Sequence, residues 1–150
     1  YDKAISIQPD HVEAFNNKAV SLYHLRRYDE AIECFEKVIS LKPDLAHPYQ
    51  NKGYAFLNLH RNKEAIESFR ACFKVDPNYY HCPFKMAEIF KSQNNQKEAL
   101  YHLKLARLSI RNPLRFDAQR DTMDLRSIDR EIERLEKTAA TTSHNCIEKI

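Results

Sequence analysis

Between residues 12 and 110 hydrophobic positions recur at steps of three and four, broken at regular intervals by short polar runs. Phe15, Ala19 and Leu22 fall on one face of a first predicted helix. Ala31, Ile32, Phe35, Val38 and Ile39 fall on one face of a second. The polar runs HLRRYD, LHRNKE and SQNNQKE separate helices paired in this way. The second helix of each pair then runs into Lys42-Pro43-Asp44, Asp76-Pro77-Asn78 or Asn112-Pro113. Proline pushes the residue before it out of the α region, so the helices are expected to stop there. One Gly and six Pro in 150 residues leave few turn formers for a fold built on hairpins, and the predicted class is all-α.

The pattern is periodic. Pro9, Pro43 and Pro77 stand 34 residues apart, Pro113 follows 36 further on, and segments 12–45, 46–79 and 80–113 align column by column. Column eight holds Ala19, Gly53 and Ala87, and column twenty holds Ala31, Ala65 and Ala99. Column eleven holds Leu22, Phe56 and Phe90, and column twenty-four Phe35, Phe69 and Leu103. Period, small residues, aromatics and proline together resemble the tetratricopeptide repeat (TPR). The resemblance implies a solenoid of antiparallel helix pairs wound into a right-handed α-α superhelix.

Residues 1–9 match the end of a second helix, with Ala4 in the column of Val38, so the chain reads as a fragment that opens on half a repeat. Three departures stand out. Lys18 and Lys52 occupy a column where the family usually has Leu, and Pro83 replaces an aromatic in the divergent third repeat. That repeat also has Arg111 where proline is expected, so its last turn is expected to be shifted. Gly53, the lone glycine, falls in a column where the resemblance implies Gly, Ala or Ser. An Ala there is expected to be tolerated, and a Leu to push the helices apart.

Residues 117–138 carry one apolar stripe, Leu125, Ile128, Ile132 and Leu135, on a charged helix. A solenoid needs its last apolar face covered, so a capping helix is expected. The alternative is a dimerising coiled coil, for which fewer than about three heptads is short. Residues 139–150 are expected to form a flexible tail.

Composition narrows the chemistry. A formal net charge of +3, with acids and bases interspersed, gives no strong pull toward nucleic acid or anionic membranes. No apolar run approaches the ~18 residues of a membrane span. Cys34, Cys72, Cys82 and Cys146 form no CxxC and no metal-ligand spacing, and are expected to be reduced and mostly buried in a cytoplasmic protein. His47 and His81 share column two, too far apart on neighbouring repeats to ligate one metal. His81 beside Cys82 points about 100° away on a helix and has no third orienting group. No nucleotide, metalloprotease or nucleophile-elbow motif occurs, so a non-catalytic protein without cofactor or metal is expected.

The resemblance places the candidate site on the first helix of each repeat, along a concave groove. The first repeat then contributes Glu13, Asn16, Asn17, Val20, Tyr23 and His24, and the second His47, Gln50, Asn51, Tyr54, Leu57 and Asn58. The third contributes His81, Phe84, Lys85, Glu88, Lys91 and Ser92. Asn and Gln amides can bond a peptide backbone as donor or acceptor, and aromatic rings offer apolar area at modest entropy cost. Asn17 and Asn51 share a column, similar to the asparagine ladder with which some TPR superhelices hold substrate backbones; Lys85 interrupts it. The carboxylate clamp of chaperone-binding TPR proteins is not matched in either register, failing at Asn16 and Val20 or at His47 and Asn51. The expected function is a protein–protein interaction module for a partner protein or extended peptide. The alternatives are self-association, through the open repeat end or the C-terminal helix, and a substrate-positioning region of a larger enzyme.

Overall fold

The computed structural model of the protein describes residues 10–110 and 120–147, with Tyr1 and Lys3; for 120–124 and 141–147 it describes the helix alone. The expected half repeat at 1–9, the turn around Arg111 and Pro113, and the last residues of the expected tail lie outside the described residues. Seven helices are described: α1 (Val12–His24), α2 (Tyr28–Leu41), α3 (Ala46–Asn58), α4 (Asn62–Val75), α5 (His81–Ser92), α6 (Gln96–Ile110) and α7 (Arg120–Ile147). No strand occurs among the described residues. The chain forms two compact units, residues 1–82 and 83–150, with α5 beginning in the first and continuing in the second.

In the first unit α1 packs on α2, α2 on α3 and α3 on α4. The proline rule sets where the second helices end. Lys42 before Pro43 (φ −142°) and Asp76 before Pro77 (φ −138°) have left the α region, and each still donates its N–H to the helix it closes. Ala19, Leu22, Ala31 and Phe35 form the α1–α2 core, where Ala19, Ala31 and Phe35 are wholly buried. Ala65 and Phe69 repeat the arrangement in the α3–α4 pair.

Gly53 lies at this close approach, as its column implied, but the expectation that Ala fits there is corrected. A Cβ built on Gly53 would stand 2.6, 2.8 and 2.9 Å from three ring carbons of Phe69. Real Cβ atoms do not come so close, and Phe69 is fully buried, with Tyr54 packed edge-on against it at 5.3 Å. Overpacking of this kind costs about 1–3 kcal/mol, whereas replacing a helical Gly by Ala returns about 1 kcal/mol. The clash outweighs the propensity gain.

The turns inside the repeats share one geometry that does not depend on glycine. Arg26, His60 and Asn94 each adopt the left-handed conformation, with φ of 60°, 58° and 57°. In each turn two N–H groups reach back over the helix end. Arg26 N–H donates to Tyr23 O and Arg27 N–H to Leu22 O, at 3.0 and 2.9 Å. His60 and Arg61 repeat this onto Leu57 and Phe56, and Asn94 and Asn95 onto Lys91 and Phe90. This is the Schellman closure, usually built on Gly because a side chain in that region costs about 1–2 kcal/mol.

The lysine in the leucine column also finds its reason. Lys52 lies 5.6 Å from the centre of the Phe56 ring, and its ammonium reaches Glu36 of α2 at 2.7 Å. The ammonium thus sits near the Phe56 ring while it pairs with the preceding repeat. Arg61 lies 4.7 Å from the same ring.

In the second unit α6 packs on α7. Ile128, Ile132 and Leu135 are buried and Leu125 half-buried, so the C-terminal stripe is covered inside the unit instead of facing solvent. Ion pairs edge the contact: Lys104–Glu136 at 2.7 Å, Arg107–Asp129 at 2.6 Å, and Lys91 of α5 with Glu131. Helix α5 meets α6 through a parallel stack of Phe90 on the buried His102 at 5.3 Å. Helix α7 runs to Ile147, so most of the expected flexible tail is helical.

Two substitutions test this packing. Gly53→Ala is expected to destabilise by about 1 kcal/mol, and to become stabilising once Phe69→Leu removes the ring, read by urea denaturation of the four-member cycle. His60→Gly is expected to raise stability by about 0.5–1 kcal/mol by relieving the left-handed residue. An unchanged midpoint would contradict the turn assignment.

Candidate functional site

Helices α1 and α3 present their expected inner-face residues in two hollows of the first unit. Val20, Tyr23 and His24 of α1, Asn51 and Tyr54 of α3, and Phe35 of α2 line a largely apolar hollow of about 140 Å³. Its walls are braced by other aromatics: Tyr23 packs edge-on to Tyr28 at 5.4 Å, and Tyr54 to Phe69 at 5.3 Å. Phe35 is wholly buried. An apolar side chain entering here would find rings already fixed in place, which limits the entropy lost on binding.

The second hollow, about 340 Å³, is lined by Val12, Glu13, Asn16, Asn17, Val38, Leu45 and His47. Asn17 is exposed on α1. His47 is half-buried, and that burial pushes its imidazole pKa below the ordinary value, so the ring is neutral at pH 7. Gln50 and Leu57 stand half-buried on α3, outside both hollows.

Two of the expected amides stand apart from the others. Asn16 lines the second hollow, with its Oδ1 buried and without a hydrogen-bond partner. Asn58 Nδ2 donates to the Tyr23 hydroxyl oxygen at 3.0 Å and to the Tyr54 carbonyl at 2.8 Å. The Tyr28 hydroxyl donates to Asn58 Oδ1 at 3.3 Å. Asn58 therefore ties α1, α2 and α3 together. Sequence periodicity showed the face it lies on, but not the tyrosines of the preceding repeat that claim its amide.

The third repeat's candidates fall on both sides of the unit boundary. His81 belongs to the first unit, where its ring lies 4.0 Å from that of Tyr80. In the second, Phe84, Glu88 and Lys91 line a hollow of about 210 Å³ together with Ala87, Leu103, and Ser127 and Glu131 of α7. Lys85 pairs with Glu88 at 2.7 Å, and Lys91 with Glu131. The last expected groove positions are thus partnered by their own helix or by α7.

Among the described residues no three His, Cys, Asp or Glu side chains gather to hold a metal ion. No described helix is long and apolar enough to cross a membrane. Cys82 turns to Cys72 rather than to His81, and its thiol pKa is held high by that contact and by burial.

Stacked helix pairs closed by one recurring turn, with small residues at each crossing, define a helical-repeat protein. Residues 12–45 and 46–79 each match a family profile described as Tetratricopeptide repeat. Residues 12–79 thus carry two tetratricopeptide repeats, and the all-helical fold is like that of solved TPR solenoids. No curated protein matches the chain. Among solved structures, the type III secretion chaperone SycD of Yersinia enterocolitica, in complex with a peptide of the translocator YopD, superposes with a TM-score of 0.74. It is 20% identical, over 89% of this chain and 98% of that one. The TPR2B domain of yeast Sti1 in its pHsp70 complex gives 0.67 at 20% identity, over 85% and 97%. MamA from Desulfovibrio magneticus RS-1 gives 0.67 at 21% identity, over 76% and 64%. At these identities the likeness is one of fold.

Proposed function

We propose that the chain is a protein-interaction module that holds an extended peptide segment against α1 and α3. The observation that carries this reading is the apolar hollow between Tyr23 and Tyr54, with Asn51 on its lining. An apolar side chain of the partner fills the hollow, while the Asn51 and Asn17 amides bond the flanking peptide backbone. Two neighbours of the same fold were solved with a peptide or protein ligand, SycD with a YopD peptide and Sti1 TPR2B with pHsp70, which supports the partner class. The neutral His47 adds a donor and an acceptor without adding charge. Self-association through the C-terminal stripe has no comparable support, because Ile128, Ile132 and Leu135 are already covered.

Peptide ligands selected from a random displayed library supply the probe. Two hydrogen bonds of about 0.5–1.5 kcal/mol each set the expected loss. Asn17→Ala/Asn51→Ala is expected to weaken binding of the selected peptides about tenfold, by fluorescence anisotropy, with the melting temperature unchanged. Selected peptides that bind the double variant as tightly as the parent would refute the groove reading.

A further inference from the structure

Two thiols outside the inner face meet at the end of the first unit. Cys72 lies in the last turn of α4 and Cys82 in the first turn of α5, and both side chains are fully buried. The Cys72 and Cys82 sulfurs lie 2.8 Å apart. The backbone between them is held by its own hydrogen bonds. Asn78 N–H donates to Asp76 Oδ1 at 3.0 Å, Tyr79 N–H to Asp76 O at 3.1 Å, and Cys82 N–H to Tyr79 O at 3.0 Å. Cys34, half-buried on α2, takes no part.

We propose that Cys72 and Cys82 are a modification site, a thiol pair that hydrogen peroxide converts into a reversible intrachain disulfide. One thiol loses its proton to water, and its sulfur attacks a peroxide oxygen. The O–O bond breaks, leaving a sulfenic acid and a hydroxide that takes up the released proton. The second sulfur then attacks the sulfenic sulfur, forming the S–S bond and breaking the S–O bond. The departing hydroxide takes the second thiol's proton. Two thiols and one peroxide yield one disulfide and two waters, sulfur being oxidised and peroxide oxygen reduced.

The geometry makes this bond a staple and not a switch. A disulfide has its sulfurs about 2.05 Å apart, so closing the contact moves the sulfurs by less than an ångström. The helices need not shift, and the oxidised chain keeps its fold. The gain is in stability, since a cross-link closing a short loop restricts the unfolded chain. Burial and the Cys72 contact hold the Cys82 thiol protonated, so oxidation requires a transient opening of the turn and proceeds slowly.

The full chain, held folded with excess hydrogen peroxide for hours, then alkylated and digested with trypsin, tests this. The expected product is peptide 71–74 joined to peptide 75–85, two hydrogens lighter and separated again by dithiothreitol. Its melting temperature is expected to rise by about 5 °C or more, a rise that Cys72→Ala abolishes. Disulfides through Cys34, Cys146 or a second chain, with Cys72 and Cys82 still alkylated as thiols, would overturn the proposal. So would a Cys72–Cys82 link that leaves the melting temperature unchanged.

Discussion

Two helices of one repeat can close on each other only where one of them presents almost no side chain. Ala19 and Gly53 are that point in the first two repeats, and Phe35 and Phe69 are the rings that use the space. With the crossing set this close, the second helix of a pair buries Ala31 or Ala65 completely. The inner hollows are a consequence. Tyr54 stands where it does because Phe69, filling the space Gly53 leaves, supports the edge of its ring.

Polar side chains then tie neighbouring repeats together at their margins. Asn58 takes the Tyr23 hydroxyl, Tyr28 takes Asn58, and Lys52 takes Glu36. Each of these contacts is exposed enough that its ion-pair or hydrogen-bond energy is modest. Their effect is orientational: they fix the rings of Tyr23 and Tyr28, so the apolar hollow exists before any ligand arrives. Preformed apolar space flanked by amides is suited to an extended chain, whose side chains and backbone alternate along its length. In the second unit α7 packs on α6 with Ile128, Ile132 and Leu135 buried, and its Glu131 pairs with Lys91 of α5.

Much of the fold was legible in the sequence, because its determinants are local. Three-and-four spacing marked the helices, Pro43 and Pro77 their ends, and the 34-residue period the pairing. What escaped depends on distances between elements. Gly and Ala share a column, yet whether a methyl group fits at Gly53 is decided by the Phe69 ring, whose position no periodicity records. The left-handed turns at Arg26, His60 and Asn94 carry no glycine to announce them; their common offset within the repeat was the available signal. At the site, Val20, Tyr23, Asn51 and Tyr54 were legible as one group and do share a hollow. Asn58 and Lys91 lay on the expected face, but neighbouring residues already partner their polar groups. The contact between Cys72 and Cys82 was hidden because the intervening turn, not a motif, creates it.

The central claim is that the α1–α3 face, preformed by the Gly53 crossing and the tyrosine braces, is where a partner segment lies. Backbone amide NMR shifts, followed while a selected peptide is titrated into the labelled chain, test it most directly. The account predicts that the largest changes fall on residues 17–24 of α1 and 47–54 of α3. Changes confined to the exposed faces of α2 and α4, or to α7, with α1 and α3 unmoved, would contradict it.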